Sequence, residues 1–551
     1  MGTAIKEVLS YIKKYPILIV ILAVGWLVNL SFFFPIKGNI GHDVYWHLAL
    51  VEVAFKTFPF QMPIFSGVPL QGYNYLGDLL MFAITKLGVP SLYVYFVVVP
   101  FLYVIMLSFL AIYFGKHQNK SILYVAPLTF FIFLATPFSY LLSLYKRGTL
   151  FFGFNYPTAM QSSSALTNLS YALTIPIFFI VFIIFQKKKR TLIDIVLLGF
   201  LVGFAFGLKF YGGIILMLLV AIHESLLFIK GKNILHFVAL GVSGLIFTAL
   251  SIVIFYDPFN SVKSGGIFAF SPLAIPHNLI EDPDALYIPQ FVMARYSLLS
   301  ANRFSLRLFA IETITLGIYL VYNFGSRIIG WFYLLKQIVK RKITRFELTL
   351  LITIAISIIF TVTLVQRGGD WWNTVQFFGY GLLLANIFAA SALYEIMHRY
   401  RKLGFCIAII VVFLTLPLNI ELVMRAIERL NKPYDISLEE QEALAFLKEK
   451  KDKGAVFALP VFSKLSYVPA RSGKPVFFAD ETVISNQGID FTKRKELLLN
   501  LKDIQLESLP VRYFYLAKYD KDYELVLDKV RNSSKLKKIY DNKEVIIFER
   551  L

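Results

Sequence analysis

Only one of the 551 residues is a cysteine, Cys406, and charged residues make up only 16% of the chain. A disulfide within the chain is therefore impossible, so any domain outside the cytoplasm must be stable without one. The low charge content excludes a series of ordinary soluble domains, whose surfaces need more polar residues. Acidic residues are the scarcer charges, with 35 Asp and Glu against 55 Lys and Arg.

Apolar residues are abundant instead, at 57% of the chain with a mean hydropathy of +0.66. Apolar runs of about 18 residues or more are typical of helices that cross a bilayer, and such runs recur up to residue 418. We predict a polytopic α-helical membrane protein of about eleven spans plus interfacial helices. The predicted spans are Pro16–Ile36, Ser91–Phe114, Ser121–Ser143, Leu169–Phe185, Leu192–Leu208, Gly212–Ile229, Ile234–Phe255, Leu308–Leu335, Leu348–Val365, Thr374–Ile396 and Leu403–Ile420.

The basic loops set the predicted orientation. With the N-terminus in the cytoplasm, basic loops such as Gln186–Arg190 and Lys336–Arg345 all fall inside, as the positive-inside rule requires. Leu76–Val89 is predicted as a half-helix or interfacial helix, because as a full span it would turn the later basic loops outward. The net charge of +20 is attributed to this topology and to anionic lipids rather than to nucleic acid.

An odd number of spans places the C-terminal region outside the cytoplasm. We therefore divide the chain into a membrane domain, residues 1–420 with an outer loop at 37–90, and an extracytoplasmic domain, residues 421–551. Ser437-Leu-Glu-Glu440 predicts a capping box that opens a helix through Leu447. Strands and helices then alternate, which predicts a small α/β domain that serves as a lid or acceptor-docking module. The predicted elements are strands at Ala455–Leu459, Pro475–Ala479 and Val511–Leu516, a helix at Asp522–Val530, and a hairpin of Leu536–Tyr540 with Val545–Phe548.

The first outer loop is the richest polar region beside the apolar bundle. It contains Gly41-His-Asp-Val-Tyr-Trp-His47, followed by an amphipathic stretch, Val44–Thr57, that suits a helix in the membrane interface. Asp43 is a candidate catalytic carboxylate and also a good helix N-cap. His42 and His47 flank it as candidate substrate-binding groups. Asp43 and His47 are in addition candidate metal ligands, which leaves a divalent cation open.

A second polar cluster, Gln366-Arg-Gly-Gly-Asp-Trp-Trp-Asn373, lies between two predicted spans. Arg367 can hold a phosphate with two parallel hydrogen bonds. Tryptophan can stack on a sugar ring, although anchoring at the interface explains it equally well. The candidate binding residues here are Arg367, Asp370, Trp372, Asn373 and, one helical turn further on, Gln376.

A third region, the loop Tyr256–Arg307, supplies further arginines. Arg295 and Arg303 are candidate binding residues for a lipid-linked phosphate, and Arg307 follows Arg303 on the same helical face. Snorkelling toward ordinary head groups is the alternative for this pair. Glu224 and Arg327 fall inside predicted spans, either as a pair or as part of a transport path.

The order of these features resembles the GT-C superfamily of membrane glycosyltransferases, and within it the protein mannosyltransferases and lipid A aminoarabinose transferases. The resemblance rests on the segment Gly41–His47, on Gly72–Leu80 leading into a helix that ends at Lys86-Leu-Gly88, and on the last hairpin, Ile539–Phe548. The family often shows paired acidic residues or a Pro-Pro. This chain has the single acid Asp43 and no Pro-Pro.

The resemblance implies a GT-C-like fold and an enzyme of the prokaryotic cell envelope. It would be an inverting hexosyl- or pentosyltransferase that moves a sugar from a polyprenyl-phosphate donor to a lipid, glycan or protein acceptor outside the cytoplasmic membrane. Asp43 would act as general base or orient the acceptor hydroxyl. Arg367, with Arg303 or Arg295, would hold the departing phosphate.

Other functions stay open at this point. A transporter or flippase of lipid-linked saccharides would need ionisable residues deep in the spans and an internal repeat. A non-catalytic envelope-assembly scaffold would use the outer polar residues only for binding. An enzyme that moves a different lipid-linked group is a third possibility.

Overall fold

A computed structural model describes residues 2–33, 42–151, 159–231, 233–259, 267–303, 305–367, 370–430, 436–463 and 466–551. The chain divides into two compact units. Unit 1 comprises Met1–Phe32, Pro100–Ser251 and Gly266–Ile427. Unit 2 comprises Phe33–Val99, Ile252–Gly265 and Glu428–Leu551, so segments far apart in the sequence fold together.

Long apolar helices confirm a membrane protein. Among the described residues, six helices are long and apolar enough to cross a membrane, or up to eight if two bent helix pairs each form one span. The six are Ser91–Gln118, Phe210–Gly231, Ile234–Tyr256, Leu306–Val339, Arg345–Thr363 and Trp371–Leu430. The bent pairs are Gly2–Lys14 with Ile17–Ser31, and Ile122–Leu134 with Ser139–Arg147.

The predicted count of eleven spans is not confirmed, although helices occupy every predicted segment. Leu169–Phe185 and Leu192–Leu208 have 17 residues each. Such a helix is about 25 Å long, short of a hydrocarbon core of about 30 Å. Trp371–Leu430 covers two predicted spans, and a non-helical break at Arg401, whose φ is 39°, divides it into two helices.

Shorter helices complete the two units. Leu76–Thr85 has only 10 residues and is too short to span a bilayer upright. Several helix starts are satisfied by side chains, as at Thr191, whose hydroxyl and the Asp194 carboxylate form a capping box. The remaining helices of six or more residues are His42–Glu52, Ala274–Glu281, Pro289–Ser300, Leu438–Glu449, Tyr467–Ser472, Glu481–Asn486, Thr492–Leu499 and Tyr523–Arg531, with a 3₁₀ helix at Ser162–Thr167.

A two-stranded sheet in unit 1 joins two of the polar regions. Strand β1, Phe268–Phe270, pairs antiparallel with β2, Leu364–Gln366, and Phe268 lies opposite Gln366. The loop that carries Arg295 and the segment that carries Arg367 are therefore connected through backbone hydrogen bonds.

The C-terminal part of unit 2 contains a four-stranded mixed sheet. Its strands are β3, Val456–Leu459; β4, Tyr513–Ala517; β5, Leu536–Asp541; and β6, Val545–Arg550. The spatial order is β3-β4-β6-β5, with β3 parallel to β4 and the other pairs antiparallel. The predicted α/β character and closing hairpin agree with this sheet.

The predicted strand Pro475–Ala479 is not part of the sheet as a regular strand. Val476 makes a single bridge to Val456. On its other side, Val476 donates its N–H to Pro63 (N···O 2.9 Å) and accepts from Ser66 (N···O 2.9 Å). The segment is extended, as its β-branched and aromatic residues favour, but it connects the first loop to the sheet within unit 2.

The predicted capping box at Ser437 forms only in part. The Ser437 hydroxyl accepts from the Glu440 N–H at 3.1 Å. The Glu440 carboxylate instead accepts hydrogen bonds from the hydroxyls of Tyr467, Tyr515 and Tyr519 at 2.9–3.2 Å. The tertiary packing of three tyrosines therefore replaces the local contact that the sequence pattern predicts.

Candidate functional site

Asp43 lies in the first turn of the helix His42–Glu52 and is exposed. His47 follows one turn later on the same helical face, and only 6% of it is exposed. The side chain of His42 lies outside the described part of the chain. The helix predicted over Val44–Thr57 forms over His42–Glu52, with Asp43 in its first turn.

A buried carboxylate holds His47 in place. Asp78 Oδ1 lies 2.7 Å from His47 Nδ1, and the two side chains are 1% and 7% exposed. Asp78 stands in the first turn of Leu76–Thr85, where the helix dipole favours a negative charge. Its second oxygen, Oδ2, is buried and has no hydrogen-bond partner among the described residues. The sequence signal for this residue was a single acid in a short apolar helix.

Tyr73 packs against the helix His42–Glu52. Its ring centroid lies 5.4 Å from that of Trp46 and 6.4 Å from that of His47. Burial raises the pKa of Tyr73 well above its usual value, and the negative charges of Asp78 and Asp43 raise it further. Both carboxylates therefore act on one phenol group, which stays protonated and able to donate. Asp43, His47, Tyr73 and Asp78 are named the acid–histidine cluster below.

The described residues contain no group of three or more His, Cys, Asp or Glu side chains arranged to hold a metal ion. Asp43 and His47 remain two candidate ligands. His47 has the support that metal-binding histidines commonly show, a carboxylate on the other ring nitrogen.

The second polar cluster lies in unit 1. Tyr211 donates its hydroxyl to Gln366 Oε1 at 2.6 Å, and the N–H of Arg367 donates to Ile267 at 2.9 Å. The side chains of Arg367 and Asp370 are exposed. Gly368 and Gly369, between these two residues, lie outside the described residues.

The 3₁₀ turn Trp371–Thr374 leads into the long helix. Trp372 is 36% exposed. Gln376 donates its Nε2 to Asn373 Oδ1 at 3.2 Å, while its Oε1 is buried and unpartnered within the described part of the chain. The structure thus brings Asn373 and Gln376 together. Residues 364–367 and 370–376 are named the rim segment below.

The arginines of the third region differ in their surroundings. Arg295 donates to Glu281 at 2.8 Å and to Glu312 at 2.9 Å, and Glu312 also pairs with His277. Arg303 is exposed, as is Arg307. To bind Arg295, a phosphate would have to displace the carboxylates of Glu281 and Glu312. Neither of these carboxylates pairs with Arg303.

The two charges predicted inside spans do not pair with each other. Glu224 forms an ion pair with Arg190. Arg327 is 1% exposed and donates to Asn386 at 2.7 Å and to Gln161 at 2.9 Å. Asp43 belongs to unit 2 and the arginines of the rim segment and third region to unit 1, so a facing arrangement of the two stays a prediction.

No protein-family model matches the chain, and no curated protein matches it. Among solved structures, the mycobacterial arabinofuranosyltransferase AftD is 12% identical with a TM-score of 0.52, over 97% of this chain and 40% of that one. Two structures of the Archaeoglobus fulgidus oligosaccharyltransferase are each 13% identical. One, a complex with Zn and sulfate, has a TM-score of 0.48 over 90% of this chain and 68% of that one. The other, with an inhibitory peptide and a dolichol-phosphate, has 0.46 over 92% and 70%.

The likeness to the arabinofuranosyltransferase confirms the GT-C-like fold that the sequence predicts. At 12% identity it shows the fold alone.

Proposed function

We propose that the protein is an inverting glycosyltransferase that moves a hexose or pentose from a polyprenyl-phosphate donor to an acceptor on the outer face of the membrane. The observation that carries the proposal is the acid–histidine cluster: an exposed carboxylate, Asp43, on a helix whose next turn is locked by the buried His47–Asp78 pair. An exposed carboxylate carried on a helix suits general-base catalysis.

In the proposed reaction, Asp43 accepts the proton of the acceptor hydroxyl. The acceptor oxygen then forms a bond to the anomeric carbon as the bond from that carbon to the phosphate oxygen breaks. The electron pair leaves with the lipid phosphate, whose negative charge needs cations. His47, positioned by Asp78, would orient the acceptor or complete a cation site with Asp43.

The donor side of the proposal uses the rim segment. Arg367 is exposed and offers a planar fork for the phosphate. Trp372 offers a partly exposed ring for a sugar face, and Asn373 with Gln376 offers amide groups. Arg303 offers a further exposed guanidinium, and Arg295 would take part only after release from its carboxylates.

The test is Asp43→Asn in the detergent-purified full chain. The purified protein is incubated with radiolabelled polyprenyl-phosphate hexose or pentose as donor and with membranes of the source cells as the supply of acceptor. Sugar transfer is then measured. Loss of general-base catalysis typically lowers rates by about 10²–10⁴-fold. Asp503→Asn, an exposed acid in the same unit, is the matched control and should keep full activity. Undiminished transfer by Asp43→Asn would remove the proposed base.

Transport of a lipid-linked saccharide is the second candidate, favoured by Arg327. This cation is fully buried, and among the described residues it donates hydrogen bonds to the neutral groups of Asn386, Gln161, Ser162 and Phe324. Ionisable residues inside membrane domains commonly mark substrate paths. Movement of labelled lipid across vesicles without sugar transfer, abolished by Arg327→Gln, would favour this function.

A further inference from the structure

Unit 2 contains a cleft that the proposed reaction does not use. Its volume is about 280 Å³. One face of the helix His42–Glu52 contributes Leu48 and Glu52, and the helix Leu438–Glu449 contributes Gln441, Ala445 and Lys448. The remaining lining residues are Pro90, Ser91, Leu92, Ala470 and Arg471.

The negative charge of the carboxylate in this cleft is already balanced by neighbouring cations. Glu52 accepts from Ser91 Oγ at 2.5 Å and lies 3.2 Å from Lys448 Nζ and 3.6 Å from Lys56 Nζ. Burial alone would raise the pKa of Glu52, but the charge of Lys448, the Ser91 hydrogen bond and Lys56 outweigh it and lower that pKa. Glu52 is therefore ionised at neutral pH and satisfied by its neighbours.

Positive charge is in surplus around the cleft. Lys56, Lys448 and Arg471 stand beside the single carboxylate of Glu52. The Nε–H of Arg471 is buried and has no acceptor among the residues that the structure describes. Buried donors are nearly always satisfied, so this N–H is open to an acceptor that the described residues do not supply.

The position of the cleft indicates where that acceptor comes from. Pro90, Ser91 and Leu92 stand at the beginning of Ser91–Gln118, a helix long and apolar enough to cross a membrane. The end of such a helix lies at head-group level. The walls formed by Leu48, Leu92 and Ala445 are apolar. An amphiphile with a negative head fits both features.

We propose that this cleft binds the phosphate group of an anionic membrane lipid, with Arg471 and Lys448 on the phosphate oxygens and the glycerol and upper chain against Leu48, Leu92 and Ala445. Arginine binds phosphate through parallel hydrogen bonds. The site would hold unit 2 to the membrane surface, and it does not depend on sugar transfer.

The experiment measures lipid binding to the detergent-purified full chain by native mass spectrometry. The probes are short-chain phosphatidylglycerol, short-chain phosphatidylcholine and inorganic phosphate. We expect phosphatidylglycerol to bind, and Arg471→Gln to weaken its binding about tenfold, the loss expected for one charge-assisted hydrogen bond. Arg531→Gln, an exposed arginine on the helix Tyr523–Arg531, is the matched control and should bind as the wild type does.

A second variant keeps every charge. Ala445→Leu fills the cleft from an exposed position and should weaken phosphatidylglycerol binding without lowering the melting temperature. Equal binding of phosphatidylglycerol to wild type and to both variants would overturn the site. Inorganic phosphate that binds as tightly as phosphatidylglycerol, or phosphatidylcholine that does so, would overturn the anionic lipid as its ligand.

Discussion

The His47–Asp78 pair of the acid–histidine cluster, in unit 2, and the charged residues of the rim segment, in unit 1, differ in their exposure. In the cluster, Asp78 and His47 are buried against each other. In the rim segment, Arg367 and Asp370 point their charges to the exterior, and Trp372 is partly exposed. Enclosed charges are held in one geometry by packing, whereas exposed ones are available to a ligand.

This contrast assigns different consequences to substitutions in the two regions. Removing one partner of a buried pair leaves the other polar group without its hydrogen bond, so folding suffers first. An exposed arginine contributes little to folding, so ligand binding suffers first. Four substitutions test this division, from the largest expected effect to the smallest.

Asp78→Ala should be the most damaging. It removes the hydrogen-bond partner of His47 and empties a buried position; a buried polar group left unsatisfied costs about 1–3 kcal/mol of stability, and the emptied space adds to that cost. The thermal unfolding temperature of the detergent-purified chain should fall strongly. Asp78→Asn keeps a hydrogen-bond acceptor and should lose less. Equal, small losses in both variants would show that the pair does not hold the helix His42–Glu52 in place.

Arg295→Gln should behave like a buried residue although it lies in the outer loop of unit 1. The change leaves Glu281 and Glu312 without their shared cation, but both carboxylates are partly exposed, so the loss of stability should be smaller than for Asp78→Ala. The unfolding temperature should fall while the KM for a polyprenyl-phosphate sugar stays unchanged. A raised KM at unchanged stability would place Arg295 with the donor-binding residues instead.

Arg367→Gln should show the reverse pattern. Its side chain is exposed, so the unfolding temperature should not change. Loss of one charged hydrogen bond to the donor phosphate should raise KM about tenfold. Arg303→Gln serves as the comparison, because both guanidiniums are exposed. A fall in stability with unchanged KM would break the contrast between the two regions.

The sequence predicts the position of the apolar helices better than the number of spans. Apolar runs locate each segment, since burial of apolar surface in lipid determines where a helix forms. Whether two runs form one span depends on bends such as that of 104° between Gly2–Lys14 and Ile17–Ser31. Such angles arise from packing between helices. The spacing of apolar residues along the chain carries no information about that packing.

The same limit applies to the site. Asp43 and His47 could be placed on one helical face because their spacing is local. Asp78 pairs with His47 across 31 residues, and a lone acid in a short apolar helix has the same pattern as a simple dipole-stabilising residue. Glu440 shows this too, since its spacing from Ser437 predicts a capping contact while three distant tyrosines take the carboxylate.

Glu440 provides the mildest test, because it is enclosed as Asp78 is but by neutral hydroxyls. Burial raises its pKa above the ordinary 4.5, and the tyrosine hydrogen bonds offset this only in part. The folded state therefore favours the protonated acid, so this contribution to stability is fully present below 4.5 and is lost as the pH rises through the raised pKa. Glu52, surrounded by lysines, has a lowered pKa, and its contribution is lost as the pH falls.

Glu440→Gln should remove the loss of stability with rising pH that is attributed to Glu440. The amide still accepts from the tyrosines but does not ionise, so the variant's unfolding temperature should decline less than the wild type's as the pH is raised from about 4.5 toward neutrality. Glu442→Gln, an exposed residue of the same helix, should follow the wild type. Identical pH profiles for wild type and Glu440→Gln would show that hydroxyl groups stabilise an enclosed carboxylate as well as a cation does, and the distinction between Asp78 and Glu440 would then rest on packing alone.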